Sequence, residues 1–158
     1  MQARNPEFAR RVRESFALQG AMDTLGAALV EIEPGRVVIS MSHQPGLTQQ
    51  HGFVHAGMVA AALDSACGYA AFTLMPADAG VLTIEFKINL LAPARGPQFR
   101  FEGRVAKGGR TISVVDGRAW QFEPAGEAGD EADGDERKLI ATMTATVMTV
   151  TGRDDVRH

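Results

Sequence analysis

The stretch "QQHGFVHAGMVAAALDSACGYAAF", residues 49–72, decides how the rest of the chain is read. After a polar, glycine-containing lead-in, the apolar residues from Met58 onward lie on every face of a helix rather than along one stripe, and a helix apolar all round is a buried one. The pattern predicts a central helix over about 56–75. One carboxylate, Asp64, stands in it among alanines, valine, leucine and methionine. A carboxylate held there either hydrogen-bonds a backbone group or a neighbouring Ser or Thr and keeps the helix in register, or serves as a base strengthened by desolvation.

The flanking sequence says what buries that helix. Asn5 can cap a first helix over about 6–19, with Pro6 at its first position, Phe8, Val12 and Phe16 recurring every four residues, and Gly20 as its stop. "GAALVEIEPGRVVISMS" (26–42) reads as two strands joined at the Pro34-Gly35 turn. Beyond Pro76 the period changes to two: Leu82, Ile84, Phe86, Ile88 and Leu90 alternate with Thr83, Glu85, Lys87 and Asn89, which puts Thr83 on the polar side of that strand. "QFRFEGRVAKGGRTISVVDGRAWQF" (98–122) gives two more strands around Gly108-Gly109, with Asp116-Gly117 expected as a bulge, and "KLIATMTATVMTV" (138–150) is a final long strand.

The class is therefore α+β, an antiparallel sheet curled about one central helix in a single domain over 1–158. Ile140, Thr142, Thr144, Thr146 and Met148 are expected on an outer face suited to pairing between subunits.

Charge and composition narrow the partners. The formal net charge is −3, but residues 123–137, "EPAGEAGDEADGDER", hold seven of the 19 acidic residues and one of the 16 Lys and Arg. That run is expected to be a flexible, solvated acidic loop, and it leaves a body of about +3, which tolerates an anionic ligand but is too weak to argue for nucleic acid. One Cys excludes an internal disulfide framework, and the N-terminus carries arginines without an apolar core, so a cytoplasmic protein without a secretory signal is expected. A membrane span over Met58–Met75 is rejected, since Asp64 at mid-span would cost about 2.5–3.5 kcal/mol.

His51 and His55 are spaced i, i+4, but Gly52 lies between them and no Glu follows, so no metal site is expected. Cys67 reads as a small buried hydrophobe, while Tyr69, Phe72 and Met75 suit either the core or the lining of an acyl pocket.

His55, Ala56 and Gly57 fall where the central helix begins. Small residues there let a ligand approach the backbone, and the first N–H groups of a helix have no internal acceptor, so an oxyanion can dock on them. Nine residues, two and a half turns, separate His55 from Asp64. The two therefore point to opposite sides of the helix, and a site that uses both has to be shared between subunits.

At these residues the chain resembles the hot-dog-fold acyl-CoA thioesterases of the phenylacetate-pathway (PaaI-like) type, whose signature is His-Gly-Gly with an Asp or Glu nine residues after the His. It stands here as "HAGMVAAALD", His55 to Asp64, departing from the signature at Ala56. The likeness runs from about Gly20 to Val150, taking in "LTIEFKINLLAPARG" and "AKGGRTISVVDGRA".

The resemblance implies hydrolysis of acyl-CoA thioesters, with Asp64 as nucleophile on the thioester carbonyl or base on water. Ala56 would supply the oxyanion-hole N–H, in a loop shaped by His55 and Gly57; Gln49 would orient the attacking water or the acyl group, and Thr83 would hydrogen-bond near the carboxylate. Arg110 and Lys107, beside Gly109, would meet the phosphates of coenzyme A, with Arg95 a weaker candidate. Alanine keeps the N–H, so the hole survives where the backbone needs no positive φ.

No cofactor is implied beyond the coenzyme A of the substrate itself, and the expected assembly is a homodimer with shared sites, paired into a dimer of dimers. Two alternatives stay open: a non-catalytic acyl-CoA binder, motivated by Ala56, and a hydratase or dehydratase on the same fold, for which the local His-and-acid pattern is missing.

Overall fold

The computed structural model describes residues 1–122 and 137–156, so the acidic run, apart from Arg137, lies outside the described residues. The elements in chain order are α1 (Phe8–Ala17), α2 (Gly20–Leu25), β1 (Ala28–Glu33), β2 (Arg36–Ser42), α3 (Ala56–Phe72), β3 (Gly80–Leu90), β4 (Gln98–Lys107), β5 (Ile112–Phe122) and β6 (Lys138–Val150). The strands form one sheet in the order β1-β2-β4-β5-β6-β3. Every neighbouring pair is antiparallel. The sheet wraps α3, the α+β hot-dog arrangement that the sequence leads one to expect.

Glycine sets how closely α3 lies on the sheet. Gly103 of β4 and Gly117 of β5 are directly opposite each other. A Cβ on Gly103 would stand 2.3 Å from the Ala66 carbonyl oxygen and 2.6 Å from the Cys67 nitrogen; one on Gly117 would stand 2.9 Å from Cys67 Sγ. The expectation of a bulge at Asp116-Gly117 is thus corrected: both residues pair in regular register with Thr144 and Met143, and the glycine is there because the helix needs the space. Leu63, Ala66, Cys67 and Phe72 of α3 pack with Phe99, Phe101, Val115, Ala145 and Val147 in one core.

Several boundaries differ from the sequence reading. The central helix stops at Phe72 rather than 75, because the Thr73 hydroxyl donates back to the Ala70 carbonyl (2.7 Å) and accepts the Gly35 N–H (2.7 Å), pinning the helix end to the β1–β2 turn. The N-terminal helix runs over 8–17 instead of 6–19, and Gly20, expected as its stop, instead opens α2, a helix too short to show periodicity. Asn5 Oδ1 still accepts the Glu7 N–H at 3.0 Å.

The α1 helix is anchored by Arg11, whose guanidinium donates to the Pro76 carbonyl (2.6 Å) and the Ala79 carbonyl and lies 4.0 Å over the Phe72 ring. Phe16 adds a ring contact to Tyr69 at 5.7 Å.

Strand β3 departs most from its expected geometry. Thr83 pairs with Val147 and Glu85 with Thr146, so Ile84 is an extra residue. One inserted residue reverses the facing of everything beyond it. Thr83, opposite inward-facing Val147, therefore shares a face with Phe86, Ile88 and Leu90, opposite Ala145, Met143 and Ala141. The expected placement of Thr83 on the polar side is corrected by that bulge.

Another of the sheet's register shifts lies in β6, where Ala119 pairs with Ala141 but Trp120 with Leu139. The extra residue, Ile140, is 1% exposed and belongs to the core, not to the outer face assigned to it with Thr142, Thr144, Thr146 and Met148.

Gly103→Ala should lower stability by about 2–3 kcal/mol, because the backbone atoms it meets cannot rotate away; thermal unfolding should show a fall of roughly 5–10 °C in Tm. Gly46→Ala, where a Cβ meets nothing within 4 Å, should leave Tm unchanged in the same experiment.

Candidate active site

The start of α3 is built by the loop before it. Gln49 N–H reaches the Phe53 carbonyl (2.8 Å) across a turn in which Gly52 takes φ +80°, and His55 N–H reaches the Leu47 carbonyl (2.9 Å). His55 is thereby held in an extended conformation as the cap residue, and its Nδ1 accepts the Gly57 N–H at 2.9 Å. Its carbonyl accepts from Met58 N (2.9 Å) and Val59 N (3.2 Å).

That leaves the Ala56 N–H without an acceptor among the described residues. Of the Ala56/Gly57 pair expected to form an oxyanion hole, Ala56 alone keeps a free donor, since His55 occupies Gly57. Among the described residues no non-glycine residue has positive φ, so Ala56 sits without strain where the signature has Gly.

Ala56 opens onto a cavity of about 560 Å³ that it shares with Gln49, His55, Leu90, Leu91 and Ile140. The β6 bulge helps to build this wall, because the Ile140 carbonyl accepts from Leu91 N (2.8 Å) and Ala92 N (3.3 Å), turning the chain after β3 over the cavity. Gln49 Oε1 folds back to accept the His51 N–H. At the rim, the Arg95 guanidinium lies 4.4 Å over the Phe53 ring.

Asp64 lies elsewhere. It faces a second cavity of about 260 Å³, walled on the helix side by Ser65, Gly68 and Tyr69 and on the strand side by Val81, Leu82 and Thr83. Thr83 Oγ1 donates to Asp64 Oδ1 at 2.8 Å, and no described residue donates to Oδ2. Burial raises the Asp64 pKa above the ordinary carboxylate value, and the Thr83 hydrogen bond partly opposes the rise. The arrangement fixes one carboxylate oxygen and leaves the other, in a residue that lines the cavity, without a donor among the described residues.

The two cavities have no lining residue in common. Within one chain the structure brings Gln49, His55, Ala56 and Gly57 together at one place and Asp64 and Thr83 at another. Lys107, Gly109 and Arg110 are in neither: they lie at the β4–β5 turn, where Gly109 borders a separate cleft with Leu74 and Met75 near the far end of α3.

Sequence reasoning missed Gln19, which stands between α1 and α2 and also lines the Asp64 cavity. Its partner Ser65 is 46 residues away, and nothing local signals the contact. Tyr69, suited to core or pocket alike, does both, packing in the core and lining the cavity, whereas Phe72 is core and Met75 is core at the edge of the separate cleft.

Comparison with known proteins gives this geometry its class. Residues 51–128 match the family model of the thioesterase superfamily. A solved thioesterase family protein from Silicibacter pomeroyi is 50% identical, with 92% of this chain and 99% of that one covered and a TM-score of 0.83. A Saccharolobus solfataricus protein provisionally named an esterase is 34% identical over 70% of this chain and 76% of its own length. The chain belongs to the thioesterase superfamily, and its class is that of a hydrolase.

The PaaI protein of the Escherichia coli phenylacetic acid degradation operon, 15% identical with a TM-score of 0.75 over 92% of this chain and 95% of that one, shares the fold.

The raised pKa of Asp64 makes its charge unfavourable to the folded state: ionised Asp64 lowers stability above its folded pKa, and the loss disappears as pH falls through that value towards the ordinary carboxylate range. Asp64→Asn should therefore raise Tm at pH 7 to 8, and the gain should shrink towards zero as the medium is acidified to about pH 4. Calorimetry of both proteins across that range checks this.

Proposed function

We propose that this thioesterase-superfamily chain hydrolyses acyl-CoA thioesters at sites shared across a homodimer, each joining Asp64 and Thr83 of one subunit to Ala56, His55 and Gln49 of the other. The observation that carries the reading is the separation of the two half-sites. A desolvated carboxylate and an unpaired helix-terminal N–H occupy different cavities on one helix, so neither half is complete within a chain.

The surface supports a second copy as the missing partner. β3 ends the sheet, hydrogen-bonded to β6 on one side alone, and Ile84, Phe86, Leu90 and Leu91 are 43–54% exposed along and beside it. An apolar, unpaired sheet edge is a surface that calls for covering. Ala60, Ala61 and Asp64, on the part of α3 nearer its N-terminus, are left half-covered. A copy related by a two-fold axis would cover both and bring its own Ala56 towards Asp64. Pairing of two such dimers belongs to the same reading.

In this mechanism the thioester carbonyl oxygen accepts the Ala56 N–H, which stabilises the negative charge that develops there, an effect of about 3–4 kcal/mol for one such donor. Asp64 either attacks the carbonyl carbon or takes a proton from a water that does so, while Thr83 holds its other oxygen. Gln49 positions the water or the acyl group. The C–S bond then breaks and coenzyme A departs as a thiolate, which with a free-thiol pKa of about 8.5 needs little protonation; where Asp64 is the nucleophile, water next cleaves the acyl–Asp64 anhydride, releasing the acid and restoring the carboxylate. The exposed cations Arg95, Lys107 and Arg110 are the candidates to meet its phosphates.

Ala56, in an ordinary helical conformation, gives no reason to prefer a binder without turnover.

Asp64→Asn should reduce kcat/KM for thiol release from acyl-CoA by about 10²–10⁴-fold. Ala56→Pro should reduce it by about 10²–10³-fold, since proline suits a first helical position but removes the N–H. Mixing the two inactive variants after dissociation should restore about a quarter of the original rate, because half the dimers then hold one intact site. No recovery in the mixture, or a strictly monomeric active enzyme, would overturn the shared site.

A further inference from the structure

We propose that Gln121 is a positioning residue for binding: its side chain fixes the loop after β3 so that Arg95 is held over Phe53 at the mouth of the Ala56 cavity, where its guanidinium meets the phosphates of coenzyme A. The role rests on the reading of this chain as an acyl-CoA hydrolase.

Gln121 stands where an apolar residue is the rule. It is directly opposite Phe99, and Ala119 lies two residues before it; both are 0% exposed, so the alternation of β5 turns the glutamine to the inner face of the sheet. An amide turned inward has to find partners. Its Oε1 accepts two successive N–H groups, that of Arg95 at 2.7 Å and that of Gly96 at 3.0 Å. The contact is close as well as polar: a Cβ on Gly96 would stand 3.0 Å from Gln121 Cβ, so the glycine leaves the space along which the glutamine passes.

The loop has few other supports. Pro93 and Pro97 carry no N–H, and among the described residues the amides of 93–97 donate to nothing but Gln121. Two carbonyls add to the hold, Ala94 accepting from Val54 N (3.0 Å) and Pro97 from His43 N (2.9 Å). Leu91, Ala92, Pro93 and Ala94 line the cavity at Ala56, and Arg95, the next residue, lays its guanidinium 4.4 Å over the ring of Phe53, itself a lining residue. Gln121 thus grips the peptide from which the Arg95 side chain leaves the loop.

Arg95 is suited to an anion. Arg10, Arg36, Arg104 and Arg153 are each paired with a carboxylate, whereas Arg95 is exposed and neither pairs with nor donates to any described side chain. With one face on Phe53, its N–H edge is left for a ligand that takes two parallel hydrogen bonds, as a phosphate does. Lys107 and Arg110, the other candidates, lie away from this mouth at the β4–β5 turn. A loop fixed beforehand has no ordering left to do when the phosphate arrives; without Gln121 that ordering opposes binding. Gln121 lines neither cavity, so its effect falls on affinity rather than on the chemical step.

Titration calorimetry of the whole chain with coenzyme A tests this. The unmodified protein should bind with a Kd that rises as salt is added. Gln121→Met, which keeps the length of the side chain and loses the oxygen, and Arg95→Met should each raise Kd about tenfold at low salt. The double variant should bind no more weakly than Arg95→Met, because one residue acts through the other; a general loosening of the fold would make the two losses add. In thiol release from butyryl- and benzoyl-CoA both substitutions should raise KM and leave kcat within about twofold.

A Kd unmoved by Gln121→Met, losses that add in the double variant, or a fall in kcat at unchanged KM would overturn the role of Gln121 and leave the proposed function standing. Failure of the unmodified protein to bind coenzyme A would overturn that role together with the acyl-CoA reading.

Discussion

A helix that is apolar on every face has to be covered on every face, and most of this structure follows from that requirement applied to α3. The sheet covers one side, and does so closely because Gly103 and Gly117 offer no Cβ where the helix backbone passes. The N-terminal helices cover part of another, with Arg11, Phe16 and Ser15 reaching its C-terminal half. The half nearer Ala56 is left partly open, and that is where Asp64 lies. Incomplete coverage and the carboxylate coincide, which is why the proposed chemistry and the proposed assembly stand or fall together.

Of the four register shifts in the sheet, two adapt it to the candidate site. Without the bulge at Ile84, Thr83 would face away from α3 and could not donate to Asp64, whose raised pKa would then lose its counterweight. The bulge at Ile140 presents a carbonyl that two successive amides share, folding residues 91 and 92 across the cavity at Ala56. Each costs the sheet a regular ladder pair, and each borders a different one of the two cavities. Bulges so placed re-aim side chains, a use that edge and near-edge strands permit because fewer neighbours constrain them.

Part of the geometry of the candidate site was legible before the fold was known. The spacing of His55 and Asp64 placed them on opposite sides of one helix, and the two cavities bear that separation out. Small residues at the helix start indicated free N–H groups, although the sequence could not show that the His55 ring would occupy the one on Gly57. Gln19 was not legible at all, since a glutamine between two short helices carries no periodic signal and acquires its place through a contact with Ser65. Lys107 and Arg110, picked out by charge and a glycine turn, lie towards the other end of α3 from Ala56.

By itself the sequence determined the periodicities: an all-round apolar helix, alternating strands, the Pro34-Gly35 turn, and a carboxylate nine residues from a histidine. These are local, because the period of a helix or strand is set by backbone geometry repeated residue by residue. Tertiary structure alone decided which face each strand turns inward once a bulge has intervened, where α3 stops, and which distant side chains meet at Asp64. Those outcomes depend on contacts between residues far apart in the chain, such as Thr83 with Asp64 and Thr73 with Gly35, and no local pattern encodes a partner it does not contain.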